Sequence, residues 1–248
     1  MKPTTVIDGF INLNKPTGIT SAKALYKVRS ASGMRKSGHS GTLDPAADGV
    51  LVLCVGKATK TVECMMNHPK VYRATARLDV TSESLDSDSA HIPVETDGER
   101  SQSEVADALA KFEGPQEQVP PIVSALKIGG VPAYKLARRG EQPAMKARKV
   151  TIYWTRLISF DWPTVSFEMA CGRGTYVRSV IRDLGASLEC GGCLTGLTRL
   201  QVGPFHIDDA WTLDRLQTAS AHDYILPLSQ WDEAVRKDPP PVPPRPDG

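Results

Sequence analysis

No stretch of this sequence is apolar for long enough to cross a membrane. The clearest hydrophobic run, Val50 to Val55, is six residues long, whereas a spanning helix needs about 20. The N-terminus lacks the basic-then-apolar pattern of a secretory signal, so a cytoplasmic location is expected. Cysteine is sparse: the five residues Cys54, Cys64, Cys171, Cys190 and Cys193 are odd in number and have no framework spacing. That usage fits reduced thiols and excludes a disulfide scaffold. Cys190-Gly-Gly-Cys193 has neither a second pair nor a nearby His pair to complete a tetrahedral site, and reads as a helix-ending loop rather than a zinc or redox centre. Nucleotide-binding signatures are missing too. Gly56-Lys57 is followed by Ala58 where a phosphate loop needs Ser or Thr, and Gly172-x-Gly174 has Val177 where a dinucleotide fingerprint needs a third glycine. There is no internal repeat.

What is present is an ordinary globular composition, 40% hydrophobic and 23% charged over 248 residues, compatible with one large domain or two small ones. The formal net charge of +2 conceals a segregation along the chain: +8 over residues 1–78, −9 over 79–117, +8 over 118–182 and −5 over 183–248. Two basic segments of this size suit a polyanion, since each phosphate neutralised releases counterions. The plain alternative is two solvated faces.

Taken in order, Val6–Leu13 reads as a strand closed by the turn Asn14-Lys15-Pro16-Thr17-Gly18. Thr20 or Ser21 caps a helix with Ala24, Leu25 and Val28 as its apolar stripe. Val50–Val55 suits a buried strand, and Gly56 opens a short helix reaching Asn67. Lys70–Leu78 alternates, with Tyr72 on the side of Ala74, Ala76 and Leu78. Residues 79–102 are acidic loop, and Ser103 is expected to cap a helix from Glu104 to Phe112 that Gly114-Pro115 ends. Gly129-Gly130 marks a hairpin, followed by a short helix from Ala133 to Arg139. Lys135, Arg138, Arg139, Lys146, Arg148 and Lys149, with Tyr134 among them, make this excursion basic in a manner suited to nucleic acid. A hairpin turning at Asp161-Trp162-Pro163 joins Val150–Phe160 to Thr164–Cys171, and a helix runs from Tyr176 to Leu188 with Arg178 on the flank of its buried stripe. Cys193–Val202 is the last long extended segment. From Lys237 the chain is proline-rich and is expected to be disordered or polyproline-like.

Chemistry concentrates in Gly38-His39-Ser40-Gly41-Thr42-Leu43-Asp44-Pro45-Ala46-Ala47-Asp48-Gly49-Val50. Pro45 fixes its own φ and pushes Asp44 out of the α region, so Asp44 is held on an irregular turn. The plain reading is a helix N-cap with Pro at the first helical position.

These residues, with Leu13-Asn14-Lys15-Pro16, Gly56-Lys57-Ala58-Thr59-Lys60, Tyr72, Ser124-Ala125-Leu126-Lys127 and Gly174-Thr175-Tyr176-Val177-Arg178-Ser179, closely resemble the TruB family of tRNA pseudouridine synthases in order and spacing, from about residue 9 to 230. The resemblance implies an α+β pseudouridine synthase fold, a largely antiparallel mixed sheet flanked by helices and loops. It implies one catalytic domain over residues 1–236, a basic RNA-clamping insertion near 120–149, and isomerisation of uridine to pseudouridine at position 55 in the T-arm of tRNA without metal or organic cofactor. Asp44 is then the catalytic carboxylate acting on a flipped-out nucleotide, and Arg178 the arginine that pairs with it, keeping it charged and oriented. Tyr72 is the active-site tyrosine beside the target base, and His39 fills the space that base leaves. Lys15 and Lys127 match motif lysines, and Tyr176, Arg138 and Arg139 join the RNA-binding set. Asp48 has no role as a second carboxylate.

Two departures stand out. The family's Gly-x-x-Thr-x-Thr-x-Asp pattern appears as Asp79-Val80-Thr81-Ser82-Glu83-Ser84-Leu85-Asp86, keeping the final Asp in register. Many bacterial relatives continue into a small RNA-binding domain where this sequence has its proline-rich tail, so no such domain is expected. The partner implied is the tRNA T-arm stem-loop, with no membrane and a monomeric enzyme expected. A tRNA-folding chaperone using the same basic surface is the alternative. An unrelated Asp-nucleophile hydrolase lacks a leaving-group acid and a metal-binding set.

Overall fold

The computed structural model describes residues 7–141, 143–238 and 240–246. Val6, expected to open the first strand, and Pro239, Asp247 and Gly248 of the tail lie outside the described residues.

Strand β1 (Gly9–Lys15) leads to helix α1 (Ser21–Ser32). The N-cap Thr20 side chain accepts from the Lys23 N–H, satisfying a donor that has no partner within the helix. Gly33 ends it at φ 70°, the left-handed cap that glycine adopts at low cost. Strand β2 (Ser37–His39), strand β3 (Asp48–Val55), a 3-10 turn over Gly56–Thr61, helix α2 (Val62–Asn67) and strand β4 (Lys70–Arg77) follow. Next come β5 (Val80–Thr81), β6 (Ile92–Pro93), α3 (Gln102–Ala110), β7 (Gly114–Gln118), β8 (Lys127–Ile128), β9 (Val131–Pro132) and α4 (Ala133–Ala137). The long strands β10 (Arg148–Asp161) and β11 (Thr164–Cys171), helix α5 (Val177–Ser187) and β12 (Cys193–Val202) complete the middle of the chain. After them come β13 (Phe205–His206), β14 (Trp211–Thr212), α6 (Leu213–Thr218), α7 (Ala221–Tyr224), β15 (Leu226–Pro227) and α8 (Leu228–Arg236).

The chain forms two compact units, Met1–Arg73 with Leu197–Gly248, and Ala74–Gly196. In the first, β3 is antiparallel to β1 along its whole length, from Gly9 opposite Val55 to Lys15 opposite Gly49. The other edge of β3 takes β2 at Leu53 to Val55 and, in parallel, Thr198 and Arg199 of β12 at Asp48 and Gly49. The far edge of β1 takes β15 and β14. Successive strand residues point to opposite faces, and here both faces are covered. Ile11, Leu13, Leu51, Leu53 and Val55 pack with Ala24 and Val28 of α1, while Phe10, Val50, Val52 and Cys54 pack with Met65, Phe205 and Trp231. Two covered faces explain why Val50–Val55 is continuously apolar instead of alternating. Of the proline-rich tail, Pro243 is buried, and Pro241 to Pro244 line a groove with Gln230, Glu233 and Ala234.

In the second unit β10 is antiparallel to β11 on one side and β7 on the other. Each unit thus holds a mostly antiparallel sheet flanked by helices. Two details differ from the sequence reading. Gly114-Pro115 does more than end a helix, because it opens β7 against Thr151 and Ile152. The cap of α3 is Ser101 in place of Ser103: Ser101 accepts from the Glu104 N–H while the Glu104 carboxylate accepts from the Ser101 N–H, a reciprocal capping box. Replacing Ser101 with Ala should cost about 0.5–2 kcal/mol and lower the midpoint of thermal unfolding by a few degrees, roughly 2–4 °C per kcal/mol for a chain of this size. Calorimetry reads this directly, and Ser103→Ala should show a smaller shift.

Candidate active site

His39 closes β2 and Asp48 opens β3, and the segment between them carries Asp44. The plain reading of Asp44-Pro45 as the start of a helix does not hold. The Ala47 N–H donates to the Asp44 carbonyl at 3.1 Å and no helix follows, a single β-turn with Pro in its favoured second position.

The backbone on either side of Asp44 is tied down. Ser21 Oγ accepts from the Leu43 N–H at 2.9 Å and donates to the Leu43 carbonyl at 3.0 Å. The Gly18 N–H donates to the Pro45 carbonyl at 2.8 Å. Earlier in the turn the Ser40 N–H donates to the Val52 carbonyl at 3.0 Å. Leu43 and Ser40 are buried while Asp44 is half-buried, so the carboxylate reaches partial solvent from a backbone that has little freedom.

Lys15 supports this arrangement from below. It is fully buried, and its Nζ donates to the Pro16 and Ile19 carbonyls, both at 2.9 Å. It thereby curls the segment that presents Gly18 to Pro45. Burial lowers the proton affinity of Lys15; Asp48 and Asp44 act in the opposite direction, and Arg199 adds to the lowering. Expected among the RNA-binding residues, Lys15 presents no surface to a phosphate.

His39 is half-buried, with its Nδ1 inaccessible and unpartnered among the described residues. Burial, with the Arg199 charge as a second cause, holds its pKa below the usual histidine value, so the ring is neutral at pH 7 and suited to an apolar, stacking role. Tyr72 is half-buried on β4, on the side of the strand that buries Ala74 and Ala76.

The second unit holds the remaining expected site residues. Arg178, expected to flank the stripe of α5, is instead 5% exposed. Its Nη1 lies 3.2 Å from Asp86 Oδ2 and donates to the Ser84 carbonyl at 2.9 Å. The loop around Asp86 is itself knotted by side chains. Ser82 Oγ and Ser84 Oγ donate to the Asp86 carbonyl at 2.7 and 3.2 Å, and Asp86 Oδ1 accepts from the Asp88 N–H at 3.0 Å. Sequence reasoning did not assign Asp86 a role. The signal was present, because Ser82 and Ser84 stand in register with the two threonines of the altered pattern and keep their hydroxyls.

The start of α5 is fixed by a reciprocal pair. The Tyr176 N–H donates to Gln118 Oε1 at 2.8 Å, and Gln118 Nε2 donates to the Tyr176 carbonyl at 3.2 Å. Lys127, Arg138 and Arg139 are exposed. The Arg138 guanidinium lies 5.7 Å from the centre of the Tyr134 ring, and Arg139 lies 4.0 Å from Glu141. Among the described residues no three His, Cys, Asp or Glu side chains are grouped to hold a metal ion. Burial pushes the Cys54 thiol up to about 12 and raises Cys190 and Cys193, which disfavours thiolate chemistry.

Two expectations follow from this geometry. Ser21→Ala strands the buried Leu43 N–H and should destabilise the protein by about 1–3 kcal/mol, read by denaturant unfolding. His39 and His68 both have folded-state pKa values below the ordinary value, so the unfolded chain binds protons that the folded chain refuses as pH falls below about 6.5. Unfolding free energy should therefore fall as the pH drops from 7 towards 5, with a shallower fall in His39→Gln and an NMR midpoint for His39 below 6.5.

Comparison with known proteins gives concordant results. Residues 29–177 match the model for the TruB family pseudouridylate synthase N-terminal domain, and residues 178–230 match the tRNA pseudouridylate synthase B C-terminal domain. The chain is 41% identical to the tRNA pseudouridine synthase B of Clostridium kluyveri over 225 residues, covering 90% of this chain and 77% of that one. It is 42% identical to the protein of the same name from Pseudomonas aeruginosa over 225 residues, covering 91% and 74%. Among solved structures, a Cbf5-Nop10-Gar1 complex gives a TM-score of 0.65 at 26% identity, covering 95% of this chain. An H/ACA RNP bound to a substrate RNA containing 2'-deoxyuridine gives 0.63 at 26% identity, covering 83% of this chain. The chain spans 60% and 51% of the lengths of those two structures' matching chains.

Proposed function

The chain belongs to the TruB family of pseudouridylate synthases, and from that membership we propose that it converts uridine to pseudouridine in tRNA, at position 55 of the T-arm. The reaction is an isomerisation: the bond between uracil N1 and the ribose anomeric carbon breaks, the base turns, its C5 bonds to the same carbon, and the C5 proton is lost as N1 gains one. Nothing is oxidised or reduced.

One observation carries the assignment of Asp44. Its neighbours Leu43 and Pro45 are hydrogen-bonded to Ser21 at the start of α1 and to Gly18 just before it, leaving the carboxylate half-buried at a fixed place. A carboxylate so held can act beside the sugar as nucleophile or charge stabiliser without first being ordered. Arg178 pairs with Asp44 in this reading, with Asp86 setting the guanidinium. Tyr72 lies against the target base. The base must leave its stack, at a cost of a few kcal/mol, and a neutral His39 ring takes the space it vacates. Lys127, Arg138, Arg139 and Tyr176 contact the RNA, whose phosphates meet the basic segments of the chain. The enzyme works as a monomer in the cytoplasm.

Asp44→Asn should eliminate release of tritium from tRNA labelled at uridine C5 while leaving the dissociation constant for tRNA within about threefold. Full turnover by this variant would refute the assignment.

A further inference from the structure

Arg199 is 1% exposed and stands opposite Gly49 in the parallel pairing of β12 with β3. Its Nε donates to the Val50 carbonyl at 2.7 Å, and its Nη2 donates to the Gly41 carbonyl at 3.2 Å. Gly41 and Val50 bracket the segment that carries Asp44, so one planar guanidinium closes both ends of the turn. Gly49, between them, has φ +98° and lies so close to Arg199 that a Cβ there would collide with the arginine's backbone. Among the described residues no carboxylate forms an ion pair with Arg199. Burying a cation with only carbonyls for partners is expensive, and an apolar side chain of similar volume would fill the same space at lower cost. What the apolar residue lacks is two donors in a fixed fork.

We propose that Arg199 is a positioning residue for the proposed isomerisation, stapling Gly41 to Val50 so that Asp44 meets the sugar in reacting geometry, without itself touching RNA. The inference rests on the functional reading above. It assigns to the end of the chain's last long strand a role in the chemistry of a turn more than a hundred residues earlier. Ser21 and Gly18 hold the turn beside Asp44, and Arg199 holds it at its ends. The charge is also felt locally, since Arg199 contributes to lowering the proton affinity of both Lys15 and His39.

The test is single-turnover kinetics, with enzyme in excess over labelled tRNA, for wild type, Arg199→Met and Arg199→Lys, well below each protein's unfolding midpoint. Misplacing a reacting group by about 1 Å costs on the order of a hundredfold. Arg199→Met should therefore lose about that much in the rate constant while its dissociation constant for tRNA stays within about threefold. Lysine reaches only one of the two carbonyls, so Arg199→Lys should fall between the two; if the Met variant does not fold, the Lys variant carries the test alone. A rate constant equal to wild type, with only the reacting fraction reduced, would assign Arg199 to folding alone and overturn the proposal. A loss confined to tRNA affinity would overturn it too. If wild type releases no C5 hydrogen, the functional reading has failed first, and that result is visible before any variant is compared.

Discussion

A carboxylate can be held by what grips its neighbours. Asp44 is placed by bonds to Leu43 and Pro45, made by Ser21 and Gly18, and the ends of its turn are gripped by Arg199. Ordering an irregular segment of about eight residues costs roughly 8–16 kcal/mol in backbone entropy. No helix or sheet ladder offsets that cost here. The offset comes from hydrogen bonds to the buried Ser21 and Arg199 side chains and to the Gly18 N–H, which is why the segment is packed against β3 and the start of α1 instead of projecting as a free loop.

The electrostatics of this unit have two layers. Inside, Lys15 and Arg199 are buried cations whose side chains donate to backbone carbonyls. Outside, Lys23, Lys27 and Arg29 of α1, with Arg35 and Lys36 beyond it, are exposed. The inner layer shapes a site and the outer one attracts a polyanion over longer range, with an attraction that salt screens.

Much of this was legible in the chain. The continuous run Val50–Val55, the cap at Thr20, the glycine pair at the tip of the β8–β9 hairpin and the turn joining β10 to β11 each follow from local chemistry, and each appears where it was expected. What was not legible depends on residues distant in sequence. Arg178 reads as the edge of an amphipathic stripe, and only the Ser82–Asp88 loop folding over it makes it a buried partner of Asp86. Lys15 reads as a motif lysine at a strand's end, in the RNA-binding set. Its burial is set by the neighbouring strands and by carbonyls that no periodicity reveals. The Ser101 cap was missed for a smaller reason: two serines compete for the position, and the reciprocal bond with Glu104 selects the first.

The reciprocal bridge at Ser21 also limits how the chain can change length. Because one hydroxyl both receives from and gives to Leu43, and Gly18 must meet Pro45 at the same time, the interval from Lys15 to Ser21 and that from Gly41 to Val50 are matched templates. An added or deleted residue in either would shift every partner by about 3 Å, farther than a hydrogen bond can stretch. Surface loops ordinarily absorb insertions freely; these two segments, though neither is helix or sheet throughout, have the length intolerance of a core strand.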